Sequence, residues 1–258
     1  MRDFLDVLAQ AARVSIESGY YDDVTPARSV PASLKQAIIQ SNGIAVITEI
    51  KGSSPSKGII RASFAPEEVA KSMVDGGATG ISVLTEPVHF RGSLSFLSRV
   101  REAVDLPLLM KDIILSPTQL DAAVQTGANA VLLIQTLFDR GYCEYSAPDM
   151  VTEAHKRNLE VLLETHSKEE FNLATKSSAD LIGINNRDLT TLNVDLNVTR
   201  SILSNKAAKG RIIVSESGIN SAADVTLLRS WGAKAFLVGS AIMLANDVEG
   251  KVKELVRI

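Results

Sequence analysis

The sequence predicts an α/β fold in which eight parallel strands, separated by helices, close into a barrel behind an N-terminal helical extension. Three observations predict it. Four segments share one pattern, a Gly or Ser, then Ala, one polar residue and a short apolar run: "GATGISVL" from Gly77, "GANAVLLI" from Gly127, "SADLIGIN" from Ser178 and "GAKAFLVG" from Gly232. They recur about every 50 residues, the mark of an internal repeat. A further strand candidate falls between successive repeats or ahead of the first, and helical patterns fill the intervals. Strand–helix alternation implies right-handed βαβ units and a parallel sheet. Eight such units favour a closed (β/α)8 TIM barrel over an open doubly wound sheet, whose G-x-G-x-x-G fingerprint the chain lacks.

The elements follow in order. "MRDFLDVLAQAARVSIE" alternates charge with apolar residues at helical spacing, and residues 1–40 precede the first strand, so they form an added lid or floor. The strands are "IAVITEIK" (44–51), the run from Gly77, "LPLLMK" (106–111), the run from Gly127, "LEVLLE" (159–164), the run from Ser178, "RIIVSE" (211–216) and the run from Gly232. A helix that ends at Gly and turns tightly into a buried strand accounts for the repeated motif. "PEEVAKSMVDGG" after Ala65 and "SPTQLDAAVQTG" after Leu115 have helical patterns, the second with Ser116 as its N-cap. No linker-like change of composition interrupts the repeat, so residues 1–258 are expected to form one domain.

Composition narrows the function. Of 258 residues 45 % are apolar, enough for one large core, and 27 Lys and Arg against 30 Asp and Glu give a net charge of −3 with no basic block to track a phosphate backbone. Nucleic acid is not expected as a partner. No apolar run approaches the ~20 residues that span a bilayer, so a soluble, cytoplasmic protein is expected. Cys143 stands alone, and His89, His155 and His166 lie far apart without partners at metal-ligand spacing, so neither a disulfide nor a metal is expected.

The chemistry gathers where the strands end. "EIKGSSPSKG", Glu49 to Gly58, closes an apolar strand with a carboxylate, two lysines and three serines. Side chains alternate faces along a strand, so Ile44, Val46, Thr48 and Ile50 face the outer helices, whereas Ala45, Ile47, Glu49 and Lys51 point into the barrel. The same alternation brings Lys111, Glu164, Asn185, Arg187 and Glu216 to the C-terminal rim, where barrels of this kind do their chemistry. A single rim charge is most often solvated or ion-paired; two lysines, three carboxylates, an amide and an arginine in one mouth form a site where charges shift one another's pKa. The competing reading is a structural ring of salt bridges. Across the mouth, "SESGIN" from Ser215 and "VGSAIM" from Val238 place glycines after the seventh and eighth strands, the usual phosphate position, and "GSSPSKG" adds Ser54 and positive charge from the first loop.

These residues resemble the indole-3-glycerol phosphate synthase family from about Ile44 to Met243, through "EIKGSSPSKG", "SVLTEPVHFRGS", "LPLLMKD", "GANAVLLI", "LLETHSKEE", "IGINNRDL", "SESGI" and "LVGSAIM" in family order. The resemblance implies ring closure, decarboxylation and dehydration of 1-(2-carboxyphenylamino)-1-deoxyribulose 5-phosphate to indole-3-glycerol phosphate in tryptophan biosynthesis, without a cofactor because no redox step occurs. By motif position Lys111 is the general acid at the ketone oxygen, and Glu164 the acid/base for loss of the hydroxyl. Lys51 pairs with the substrate carboxylate or acts as a second acid, while Glu49 and Asn185 orient the lysines and hydroxyls. Arg187 and Glu216 supply supporting charge. Ser54, Ser217, Gly218, Gly239 and Ser240 match the phosphate cradle, and Phe90, Leu132 and Leu189 the walls around the aromatic ring. One departure bears on that pocket: the family usually has Phe after "KD", and this chain has Ile113.

Two other readings stand beside this one. Phosphoribosylanthranilate isomerase is a similar phosphate-binding barrel that uses a Cys and Asp pair at strand ends, but Cys143 lies beyond the fourth strand, in "RGYCEY". A catalytically silent barrel acting as a binding subunit would have lost Lys111 or Glu164, and both are present. The expected partner is a phosphorylated small molecule, and the expected assembly a monomer or weak homodimer.

Overall fold

The computed structural model describes residues 3–54, 58–204, 208 and 210–257. Eight parallel strands form a closed barrel: β1 (Ala45–Ile50), β2 (Gly80–Leu84), β3 (Leu108–Lys111), β4 (Ala130–Ile134), β5 (Glu160–Thr165), β6 (Leu181–Asn185), β7 (Ile213–Glu216) and β8 (Ala235–Val238). Each pairs with its sequence neighbours, and β1 closes the ring on β8 with Ala45 opposite Ala235 and Thr48 opposite Val238. The TIM barrel expected from the repeat is therefore the observed fold, and every expected strand is present.

Alternation along the strands splits the apolar core in two. Ile44, Val46 and Ile50 of the first strand region pack with the helices, as do Leu108, Met110, Val131 and Leu133. Ala45, Ile47, Leu109, Leu132, Leu162, Val214 and Leu237 fill the barrel interior. The predicted inward and outward faces of β1 are those observed.

Local signals explain the helix ends. In α3 (Pro66–Asp75) a proline opens the helix, and in the helix Pro117–Gln125 Ser116 and Gln119 form a capping box that spans Pro117. The glycines that begin three of the repeats, Gly77, Gly127 and Gly232, have φ of 94°, 80° and 114°, a conformation in which any side chain is strained. The repeat at Ser178 has no glycine at this point. There the Ser177 hydroxyl donates to the Ala174 carbonyl at 2.8 Å and accepts from the Ala179 amide at 3.2 Å, so a side chain makes the turn.

The N-terminal extension serves both ends of the barrel. Phe4 and Leu8 of α1 (Phe4–Glu17) reach the cavity at the mouth, and Phe4 packs edge-on against His89 with ring centroids 5.6 Å apart. Tyr20 and Tyr21 tie the chain beneath the mouth: the Tyr20 hydroxyl donates to the Thr85 carbonyl at 2.9 Å and the Tyr21 hydroxyl to Asp112 Oδ1 at 3.1 Å. The chain then crosses to the opposite end, where Ser33, the N-cap of α2 (Leu34–Gln40), bonds Glu160 at the start of β5, and Leu34 packs beneath the interior residues. Lid and floor were alternatives on sequence; the extension supplies both.

Candidate active site

The strand ends surround a cavity of about 550 Å³ at the C-terminal mouth. Glu49, Lys51, Ser54, Phe90, Lys111, Leu132, Glu164, Asn185, Arg187, Leu189, Ser217, Gly218, Gly239 and Ser240 line it, together with Ile113. These are all the expected site residues except Glu216, which lies completely buried behind Lys111. The cationic Lys57 of the first loop lies outside the described residues.

Five of the charged groups form one connected set. Lys51 Nζ is 2.6 Å from Glu49 Oε1, and Lys111 Nζ is 3.3 Å from Glu49 Oε2 and 3.0 Å from Glu216 Oε2. Burial alone would raise the Glu49 carboxyl, but the Lys51 and Lys111 ammoniums hold it down to about 2. Burial works against the charge on Lys111, and Glu216, Glu49 and Glu164 overcome it, so its pKa is raised and it keeps its proton across the working range. Glu164 is held down to about 2 against burial by His166, Lys111 and the Asn185 amide, whose Nδ2 donates to Glu164 Oε1 at 3.0 Å. Glu216 goes the other way: burial and the neighbouring Glu164 charge outweigh Lys111 and push it up to about 8. Glu164 and Glu216 thus behave as a coupled pair that carries one proton near neutrality.

Around this set the loops are fixed by their own side chains. Glu86 accepts from the amides of Val88, His89 and Phe90 at 3.0, 2.7 and 2.9 Å and so sets the loop that presents Phe90. The Ser53 hydroxyl donates to the His89 carbonyl at 3.0 Å, linking that loop to the one after β1. Arg187 is half-buried, donates to the Leu192 carbonyl at 2.9 Å and bridges to Val194, which folds Leu189 over the cavity. On the opposite wall Ser217 and Gly218 have φ of 66° and 83°, and Gly239 caps the four-residue helix Ser240–Met243. A Cβ at Gly218 would lie 2.5 Å from Val194 Cγ1, so both space and backbone require glycine there.

Several residues of the site were not expected from sequence. Glu86 and Asp112 are buried and touch the cavity, and His166, mostly shielded, stands beside Glu164. Glu164 and His166 are two apart at a strand end, the spacing that placed Glu49 with Lys51, so the alternation rule points to His166 as well. Cys143 lies away from this cavity, in a groove with Arg13 and Glu17, and burial pushes its thiol up to about 12. That separates the chain from a Cys-dependent barrel isomerase. Among the described residues no group of three or more His, Cys, Asp or Glu side chains is arranged to hold a metal ion, and no helix is long and apolar enough to cross a membrane.

Comparisons with known proteins agree with this geometry. Among solved structures, thiamine phosphate pyrophosphorylase from Pyrococcus furiosus superposes with a TM-score of 0.59 at 22 % identity over 86 % of this chain and 96 % of its own. Tryptophan synthase from M. tuberculosis does so at 0.63 and 12 % over 87 % and 98 %; at these identities the likeness concerns the fold alone. Sequence relatives are nearer. An indole-3-glycerol phosphate synthase from Haloarcula marismortui is 42 % identical over 97 % of this chain and 90 % of its own length. Others from Carboxydothermus hydrogenoformans and Neisseria meningitidis are 42 % and 39 % identical over 88 % and 97 % of this chain and 85 % and 94 % of theirs. The family model for indole-3-glycerol phosphate synthase matches residues 4–255, and with a barrel whose mouth gathers the expected lysines and carboxylates, this chain belongs to the indole-3-glycerol phosphate synthase family.

Proposed function

We infer that the chain is an indole-3-glycerol phosphate synthase, a carboxy-lyase that converts 1-(2-carboxyphenylamino)-1-deoxyribulose 5-phosphate to indole-3-glycerol phosphate, carbon dioxide and water. The observation that carries the reading is the convergence of Lys51 and Lys111 with Glu49, Glu164 and Asn185 on one cavity in a chain of this family.

The chemistry assigns the roles. The electron-rich ring carbon that bears the carboxylate attacks the ketone carbon, and the carbonyl π electrons move to oxygen. Lys111, kept cationic, donates a proton to that oxygen as negative charge develops on it. Loss of carbon dioxide returns the bonding electrons to the ring. The new hydroxyl then leaves as water, taking a proton from an acid while a base removes one from the neighbouring carbon. Glu164, held ionised, enters this step as the proton acceptor. Lys51, 2.6 Å from Glu49, is placed to bind the substrate carboxylate first and to donate to the departing hydroxyl afterwards. Glu49 and Asn185 orient the two lysines and Glu164, Arg187 adds charge, and Glu216 acts through its hydrogen bond from Lys111.

Ser54, Ser217, Gly218, Gly239 and Ser240 form the phosphate side of the cavity, and Phe90, Leu132 and Leu189 enclose the ring with Ile113. Gly218 supports this assignment, because its left-handed backbone brings the chain close to the cavity without a side chain. A single chain supplies the whole charged set, which supports a monomer or weak homodimer, and a pathway enzyme acting on a phosphorylated metabolite fits the cytoplasm. The test is incubation of the purified protein with the anilino-ribulose phosphate while indole fluorescence is followed. Saturable growth of the signal is expected, and no growth in folded protein would refute the assignment.

A further inference from the structure

His166 has no role in the reaction as described above, yet its environment is built around it. It follows β5, and its side chain is about one-seventh exposed. Nε2 lies 3.2 Å from Glu164 Oε1, the oxygen that also accepts from Asn185 Nδ2 at 3.0 Å. On its other side Nδ1 faces the Thr136 hydroxyl of the helix Gln135–Asp139 at 3.5 Å and Glu170 Oε2 of the helix Lys168–Ala174 at 3.6 Å. Glu170 is itself anchored: Oε2 accepts the His166 amide at 2.7 Å and Oε1 the Thr136 hydroxyl at 2.7 Å. Glu170 is buried and Glu164 almost wholly so, which makes each sensitive to the charge between them.

We propose that His166 is a positioning residue for the reaction: as an imidazolium braced by Glu170 and Thr136, it fixes the carboxylate of Glu164 and keeps that group in the proton-accepting form. Burial opposes a charged imidazole, but Glu164 and Glu170 together push His166 up to about 9, so it carries its proton at neutral pH. The titratable and charged groups facing the pair are Glu170 from the helix Lys168–Ala174 and Glu164 from β5, which favour the cation, Lys111 from β3, which adds to the field that keeps Glu164 ionised, and Glu216 from β7, which holds the proton beside Glu164. The arrangement explains why a carboxylate with almost no solvent access holds its charge beside Glu216. A neutral residue at position 166 would leave Asn185 and Lys111 to hold Glu164 alone. Glu164 would then lose the group that fixes its orientation, which lowers the rate, and its carboxyl would rise from its lowered value, which moves the acid limb upward.

The proposal rests on Glu164 acting in the reaction, so wild-type turnover of the anilino-ribulose phosphate is measured first. A silent but folded wild type would overturn the functional reading and this inference with it. With an active wild type, His166→Gln is expected to lower kcat about tenfold with KM changed less than twofold, and to move the acid limb of the kcat–pH profile upward by about one unit. Should His166→Gln fail to fold, Glu170→Gln tests the brace, with a kcat loss of about threefold and the same direction of shift. His166→Lys, which restores a cation, should recover part of the lost kcat. A folded variant that melts at lower temperature but keeps the wild-type kcat and acid limb would overturn the inference while leaving the functional reading intact.

Discussion

Lys111 and Lys51 share Glu49 and are about equally shielded from solvent, but their other surroundings differ. Lys111 ends the apolar strand β3 and also contacts the Glu216 carboxyl, whereas Lys51 stands at the start of a loop with Glu49 as its ion-pair partner. An interaction made only in the transition state appears in kcat, and one made equally with bound substrate appears in KM. Lys111→Met should therefore lower kcat by about 10²–10⁴-fold, the usual scale for general acid catalysis, with KM little changed. Lys51→Met removes both the carboxylate contact and the later proton donor, so it should raise KM while lowering kcat less than Lys111→Met does, and steady-state kinetics on folded variants distinguishes the two. Bulk at Gly239 looks from sequence like a pure binding lesion, because the phosphate must approach the backbone. In the structure a Cβ there would strike Glu49 Oε1 and lie 2.9 Å from Lys51 Nζ. Gly239→Val should thus lower kcat as well as raise KM. Ile113 is 5 % exposed, belongs to the interior core and touches the cavity, so Ile113→Phe points into available space. It should leave the melting temperature nearly unchanged and tighten product binding, read by titration with indole-3-glycerol phosphate. Most charged site residues were legible because alternation fixes their faces without knowledge of the fold. Glu86 was not, because its task is to bind the amides of its own loop, which leaves no periodic trace.

At the scale of elements, legibility depended on whether a signal is local. Strand positions and helix starts follow from runs and caps, and the glycines of the repeat follow from their positive φ. The destination of the N-terminal extension does not, since an amphipathic pattern names a buried face but not the surface that buries it. That destination carries a consequence for the site. Asp112, next to Lys111, is buried among the Tyr21 hydroxyl, the Thr85 hydroxyl at 2.5 Å and the Ile113 amide at 2.7 Å, and burial with the nearby Glu86 charge pushes it up to about 6 against those donors. Tyr21→Phe removes one donor from a buried acceptor, a loss of about 1–3 kcal/mol. For a chain of this size that corresponds to roughly 2–6 °C in melting temperature. Calorimetry should show the fall, and a smaller loss of kcat should accompany it because Asp112 adjoins the base of Lys111. An unchanged melting temperature would mean that the extension is held by its apolar contacts alone.

For the whole molecule, the buried charges at the mouth set how stability responds to pH. Glu49 and Glu164, both held to about 2 in the fold, are lowered carboxyls. Their contribution is complete above the ordinary carboxylate range, near 4.5, and is lost as pH falls toward 2. Glu216 at about 8 and His166 at about 9 are raised groups that bind protons more tightly folded than unfolded. Glu216 contributes fully below about 4.5 and loses its contribution as pH rises to 8; His166 contributes fully below 6.5 and loses it by about 9. Both therefore act in the same direction on the alkaline side. The melting temperature should peak near pH 5–6, fall steeply toward pH 3 and decline more gently between pH 6.5 and 9, by roughly 5 °C if the two groups together lose about 2 kcal/mol. Differential scanning calorimetry at constant ionic strength measures this directly. Glu216→Gln keeps the shape of the buried side chain and removes its titration, so the alkaline decline should become shallower in that variant and the acid limb should stay. A variant whose alkaline decline matches the wild type would assign the loss to His166 and to groups outside the barrel mouth.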